Sequence, residues 1–439
     1  ALPISIKRGI VENLAIYVSA FSLSALLIYV FKQQAARVGL IDRPCERKRH
    51  CGEVPLIGGL AIFSAFAISL FISNLDLSHF YALLAGCAVL LVVGVFDDIK
   101  ALPSGPRFLA QITAGVLMCV WGGVVLRDLG SLSFDNSLFT LGSLAIPFTI
   151  FATVGVINAV NMSDGIDGLC GSLTLVALTG LAVATYVAGA SEQFTTIMIL
   201  MSAVGAFLFF NIRFPNRPRA LVFLGDAGSM ILGFALAWFV VSLSQGEHRV
   251  ITPATALWFL AMPLFDTVGI MTRRVLKGRS PFTADREHFH HAFQLAGFSV
   301  FRTHVTITAM AVIFMVMGLV GQFAGAPEIA MFYLFLGVFG LYFWGMMYAW
   351  KVMRFLKRTM HLEKDAVSGQ IADTVKVVEP VFPTVIKDGD LENLRAYYLL
   401  QKAKHIKEES EEDKVKVDLK LIVNAQSDQE SAVESKTAS

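Results

Sequence analysis

Two adjacent carboxylates, Asp97 and Asp98, close an apolar run in the segment Gly94-Val-Phe-Asp-Asp-Ile-Lys100. The run reads as a helix, so the pair sits at a helix C-terminus, where the macrodipole disfavours anions. The two charges also repel, a cost that a bound cation or a shared proton would relieve. A second cluster, Asn158-Ala-Val-Asn161-Met-Ser-Asp164-Gly-Ile-Asp167-Gly-Leu169, places two carboxamides and two carboxylates within ten residues. Asn158 and Asn161 are one helical turn apart and share a face. Gly165 and Gly168 let the chain turn or approach a ligand closely. Capping of the next helix by Ser163 or Asp164 would explain one of these residues, not all. In the third cluster, Phe223-Leu-Gly-Asp226-Ala-Gly-Ser229, Asp226 reads either as a plain N-cap or as a hard-cation ligand beside a glycine-lined phosphate approach. The fourth, Asp285-Arg-Glu-His288-Phe-His290-His291, is dense in side chains that bind phosphate or carry protons. Three histidines could take zinc, but no thiolate flanks them and the oxygen donors elsewhere favour donation to phosphate. Carboxylates holding Mg²⁺, with cations holding phosphates, would suit phosphoryl transfer, which needs chiefly positioning and charge.

These clusters must be held by membrane helices. Of 439 residues, 55% are hydrophobic and only 16% charged, against roughly 25% charged in a soluble domain. That excludes a disordered, fibrous or ordinary soluble protein and predicts an all-α polytopic integral membrane protein. Eleven spans are expected, near residues 11–31, 56–73, 80–96, 106–122, 142–160, 169–188, 194–211, 229–244, 254–272, 304–324 and 329–350. The first run ends in Phe31-Lys32 without a small-residue cleavage site and is expected to be retained. The four clusters follow spans 3, 5, 7 and 9, so all must face one compartment. Of the 21 basic residues before position 351, 17 lie in loops that follow odd-numbered spans, and Arg127 and Arg249 alone follow even-numbered ones. By the positive-inside rule the clusters face the cytoplasm. Asp266 falls inside span 9, about 9 Å below its cytoplasmic end at 1.5 Å per residue. A carboxylate there needs a partner, and it either orients a histidine or locks the bundle.

Residues 351–439 are a different material, holding 31 of the 70 charged residues. Lys351, Arg354, Lys357 and Arg358 form a juxtamembrane basic cluster suited to anionic lipid. Residues 388–414 could form a charged helix, and the end reads as disordered. The expected organisation is a membrane domain over 1–355 and a cytoplasmic tail over 356–439. The five cysteines are odd in number and show no CxxC spacing, so no disulfide framework is expected. No feature calls for nucleic acid.

The four clusters, with Asp42-Arg-Pro44, Arg47-Lys-Arg-His50 and Pro55-Leu-Ile-Gly-Gly59, resemble the polyprenyl-phosphate N-acetylhexosamine-1-phosphate transferases over about residues 14–355. Within that family, Pro253-Ala-Thr-Ala-Leu-Trp258, Ser280-Pro-Phe282 and the histidine motif look like the branch that uses N-acetylglucosamine. The resemblance implies transfer of N-acetylglucosamine-1-phosphate from UDP-N-acetylglucosamine to undecaprenyl phosphate, at the cytoplasmic face of a bacterial inner membrane, with Mg²⁺ or Mn²⁺. It implies Asp226 and Asn161 as metal ligands. Asp97 or Asp98 would position or deprotonate the lipid phosphate, and Asp164 and Asp167 would bind the nucleotide and shape the site. Lys48, His50, Arg274 and His288 would contact phosphates or sugar, with Asn158, His290 and His291 completing the substrate-binding set. It leaves open another N-acetylhexosamine donor, an aspartyl intermediate against direct attack, and a homodimer. A transporter, the reading from another class, should place its polar groups near the midplane, often between inverted repeats. Here they gather at one face and no repeat is seen.

Overall fold

The computed structural model describes residues 4–42, 53–133, 135, 137–214, 217, 219–247, 249–280 and 288–348. These belong to a compact unit over Ala1–Gly369. Lys48, His50, the first residues of the histidine cluster and the tail 356–439 lie outside the described residues.

The chain is a bundle of α-helices: α1 (Ile4–Val38), α2 (Gly58–Ile72), α3 (Tyr81–Lys100), α4 (Ser104–Val116), α5 (Ala145–Met162), α6 (Leu169–Ala188), α7 (Ser191–Asn211), α8 (Gly225–Ser244), α9 (Pro253–Phe259), α10 (Ala261–Leu276), α11 (Phe289–Leu295), α12 (Val300–Phe323) and α13 (Glu328–Met347). Among the described residues, two antiparallel ribbons complete it. One pairs β1 (Ile41–Asp42) with β2 (Val54–Pro55), the other β3 (Asp128–Ser131) with β4 (Leu138–Thr140).

Among the described residues eight helices are long and apolar enough to cross a membrane: α1, α3, α5, α6, α7, α8, α12 and α13. The expected spans near 56–73, 106–122 and 254–272 take other forms. The first is α2, of 15 residues. The second is α4, continued by a π-helical segment, Leu117–Trp121. The third is broken into α9 and α10, which meet at 82°. Pro263 lies just beyond the break. It lacks an N–H, and its ring would strike the carbonyl of Phe259 if the helix ran straight through.

Helix α8 is the axis of the bundle. Its apolar residues run all the way round rather than in a stripe, the pattern of a fully enclosed helix, and 94% of its span is buried. It packs against α2, α3, α5, α6 and α9. Close approach comes from glycine, since lipid gives helices no hydrophobic reason to associate and packing must supply the attraction. A Cβ on Gly59 of α2 would run into the backbone of Gly228, and one on Gly94 of α3 into that of Ala227. Both contacts fall on the first turn of α8.

At the other end of the bundle, Gln245, just past α8, accepts at its Oε1 from the backbone N–H of Arg127 (2.8 Å) and Asp128 (3.1 Å). Arg249 pairs there with Glu328 at 2.6 Å, and Glu328 also accepts from the N–H of Ser131 at 2.9 Å. These bonds tie the β3–β4 ribbon to the start of α13.

Candidate active site

The site is built around the first turn of α8. Gly225, in the left-handed region at φ +77°, turns the chain into this helix. The preceding strand-like segment is pinned by backbone bonds: Phe223 donates to Pro55 (2.8 Å), while Gly58 and Gly59 donate to Phe223 (3.0 Å) and Leu224 (2.9 Å). The Pro55–Gly59 motif is therefore the brace that aims α8.

Asp98 Oδ1 accepts from the backbone N–H of Asp226 at 2.8 Å, and Oδ2 from that of Ala227 at 3.3 Å. The penalty of a carboxylate at the C-terminus of α3 is thus offset by the N-terminus of α8, whose dipole has the opposite sign there. Asp226 is left free of any capping duty. Its Oδ1 accepts from Asn161 Nδ2 at 2.7 Å, and the same nitrogen donates to Ser229 Oγ at 2.8 Å. Buried Asp97 takes the N–H of Leu102 at 2.6 Å and pairs with Arg107 Nη1 at 3.1 Å. One turn before Asn161, Asn158 donates to Gln111 Oε1 at 2.7 Å. Arg107, Phe108, Gln111, Asn158, Asn161, Asp226 and Met230 line one pocket.

The loop after α5 stands beside this pocket. Neither Ser163 nor Asp164 caps α6. Ser163 Oγ donates back to Ala159, Asp164 is exposed on the turn, and the N-cap position is Gly168 at φ +83°. Asp167 is held by Arg213 at 2.6 Å. Asn211, buried at the end of α7, accepts from the Gly168 N–H (2.7 Å) and donates to the Val222 carbonyl (2.8 Å). One side chain so fixes the spacing between the Asp164–Gly168 turn and the segment leading to Asp226.

The histidines reach the same loop from α11. A side chain on Gly165 would collide with the His290 ring, so His290 lies directly against the turn. His288 and His290 are stacked, with ring centroids 5.6 Å apart, and His291 is 4.2 Å from His290. Burial, and then the neighbouring His291 and His288, push the His290 imidazole down to about 3. Its Nε2 meets no hydrogen-bond partner among the described residues. Arg274 is buried in the last turn of α10. Among the described residues, no three His, Cys, Asp or Glu side chains form a metal-ligand group.

A pH dependence follows from His290. The unfolded chain binds a proton near pH 6.5, whereas the folded ring resists it until about pH 3. The contribution of the docked ring is thus complete above pH 6.5 and is lost progressively as pH falls toward 3. The protection of the α11 amides against hydrogen exchange, measured relative to their pH-dependent intrinsic rates, should fall on acidification across that window, and His290→Phe should flatten the response. An unchanged pH slope in that variant would remove His290 as the cause.

The structure brings Asp97, Asp98, Asn158, Asn161 and Asp226 together directly, with the Asp164–Asp167 turn and His288–His291 alongside. Gln111, Arg107, Asn211 and Arg213 are its additions. Their signal in the sequence was polarity at the border of an apolar run, which capping explains as readily.

A helical bundle that crosses the membrane repeatedly and gathers its carboxylates, carboxamides and a guanidinium at one end defines a multi-pass membrane enzyme. Residues 80–244 match glycosyl transferase family 4. The chain is 37% identical over 344 residues to the undecaprenyl-phosphate alpha-N-acetylglucosaminyl 1-phosphate transferase of Yersinia pestis, covering 78% of this chain and 93% of that one. The proteins of that name in Escherichia coli K12 (36% over 342 residues, 78% and 93%) and Haemophilus influenzae (36% over 333 residues, 76% and 94%) are similar to it to the same degree. The chain belongs to glycosyl transferase family 4.

Proposed function

We propose that the protein transfers N-acetylglucosamine-1-phosphate from UDP-N-acetylglucosamine to undecaprenyl phosphate, releasing UMP. The observation that carries this reading is the pocket at the first turn of α8, which Asp226, Asn161 and Arg107 line together. The shared name of relatives aligned over more than nine-tenths of their length supports the two substrates. In the reaction, an oxygen of the lipid phosphate bonds to the β-phosphorus of the donor. The bond from that phosphorus to the bridging oxygen breaks, and UMP leaves with the electron pair.

Arg107 provides positive charge for phosphate oxygens at the pocket mouth, and Asp97 fixes its direction. Asn158, held by Gln111, keeps a polar wall beside it. Asp98 works through the helix, holding the N–H groups that aim Asp226. Asp164, exposed beside the pocket, would bind the nucleotide, and Asp167, paired with Arg213, would shape the turn.

Asp226 and Asn161 suit a divalent cation. Both carry hard oxygens, and Mg²⁺ is commonly held by one or two carboxylates with substrate phosphates and water filling the remaining positions. When bound, Mg²⁺ or Mn²⁺ would neutralise phosphate charge as it develops in the transition state. The basic loops support a bacterial inner-membrane location with this end of the bundle in the cytoplasm.

Purified protein supplied with UDP-N-acetylglucosamine, undecaprenyl phosphate and Mg²⁺ is expected to release UMP with an equal amount of lipid-linked diphosphate sugar. EDTA should stop release, and Mg²⁺ or Mn²⁺ should restore it. Folded protein that releases no UMP would overturn the reading, and equal turnover of UDP-N-acetylgalactosamine would overturn the choice of sugar.

A further inference from the structure

We propose that Asp266 is a positioning residue that sets which nitrogen of His288 carries the proton and where that imidazole points. The inference rests on the phosphotransfer reading above for its kinetic consequence, and on geometry alone for the tautomer.

Asp266 lies within α10 and is 7% exposed. Its carboxylate collects three donors from three parts of the chain. Oδ2 accepts from His288 Nδ1 at 3.0 Å. Oδ1 accepts from the backbone N–H of Phe289 at 2.9 Å and from the Tyr342 hydroxyl, on α13, at 3.1 Å. A carboxylate has no hydrogen to give, so the proton at the His288 contact belongs to Nδ1. That leaves Nε2 as the ring atom available to a substrate. The Phe289 bond adds a second constraint. His288 is the N-cap residue of α11 and Phe289 its first helical residue, so one carboxylate fixes both the ring and the backbone that carries it.

The surroundings make the arrangement stiff. Phe265 lies 5.6 Å, and Phe289 5.1 Å, from the Tyr342 ring, centroid to centroid. This aromatic wall keeps water from competing for the carboxylate, and hydrogen bonds in such a place are both stronger and costlier to lose. A simple bundle lock would need only the Tyr342 bond between α10 and α13. The two bonds to His288 and Phe289 serve the histidine segment.

Asp266→Asn separates the two roles. Asparagine has the same shape, and its Oδ1 can still accept from Phe289 and Tyr342. Its amide nitrogen, however, donates toward His288, and the ring can meet a donor only with Nδ1 bare and the proton on Nε2. Nitrogen-15 NMR of histidine-labelled protein in detergent micelles should show His288 protonated on Nδ1 in the wild type and on Nε2 in D266N. In the UMP-release assay, kcat of D266N should fall by about 10-fold to 10⁴-fold, the range from losing a histidine's outer partner to forcing the wrong tautomer, with little change in KM for the nucleotide sugar. Tyr342→Phe removes a bond to the same carboxylate but leaves the His288 contact, and should keep the wild-type tautomer and lose far less in kcat. A wild-type His288 protonated on Nε2 overturns the proposal whether or not D266N folds. So do equal losses of kcat in D266N and Y342F with a single shared tautomer. Wild-type protein that shows the Nδ1 proton yet releases no UMP would instead sink the functional reading and leave the Asp266 contact standing.

Discussion

Asp226→Asn is expected to lower the rate of UMP release by about 10² to 10³, the usual cost of deleting one preorganised electrostatic group, while the protein still folds. The Asp226 side chain makes no capping hydrogen bond to α8. Asp98 holds the N–H groups of Asp226 and Ala227, and the Asp226 side chain meets Asn161 instead. Asparagine keeps an oxygen that can accept from Asn161, so the packing of α5 on α8 survives. What is lost is one negative charge in a pocket that Arg107 also lines. Thermal unfolding and UMP release measured on the same preparation check this. Wild-type turnover would remove Asp226 from the reaction, and a collapsed melting curve would show that its role is structural.

Gly225→Ala should disable the protein almost as completely, through geometry rather than charge. Gly225 sits at φ +77°, where an L side chain costs about 1–2 kcal/mol. Its Cβ would also lie 2.5 Å from Asp98 Oδ2. Relief of that contact must move either the Asp98 carboxylate or the start of α8, and a displacement of about 1 Å near reacting groups can cost on the order of 10² in rate. The loss should appear in kcat. Alanine at Gly205, which meets nothing within 4 Å, is the matched control. Full activity in Gly225→Ala would mean that the first turn of α8 can shift without consequence.

The candidate site was legible in the sequence because charge is scarce there. In a chain so apolar, Asp97, Asp98, Asp164, Asp167 and Asp226 cannot hide, and helical parity alone put them on one side. What the sequence could not give was their partnerships. Asp98 read as a carboxylate at the wrong end of its own helix, because the compensating helix lies 127 residues further along. Asp226 could also be read as a cap, because capping is local and its actual partner, Asn161, is not. Asp266 was poised between a histidine and a bundle lock, and it bonds both His288 and Tyr342. The fold class and the helices themselves were readable from hydropathy. The 82° break was not, since an apolar run of that length looks the same straight or folded, and only Pro263 hints at the turn. The role of Asn211 was hidden for another reason: its polarity at the end of an apolar run was readable, but it binds main chain, which leaves no pattern in side chains.

The enclosure of α8 also bears on how the protein is made. A helix that carries Asp226 and Ser229 in its first turns would be poorly suited to lipid on its own. Yet α2, α3, α5 and α6, four of the helices that surround it, all precede it in the chain. By the time the ribosome delivers α8, most of its casing has already been synthesised. The order of the helices along the gene thus doubles as an assembly order, in which the most polar wall of the site is supplied to neighbours already present to receive it.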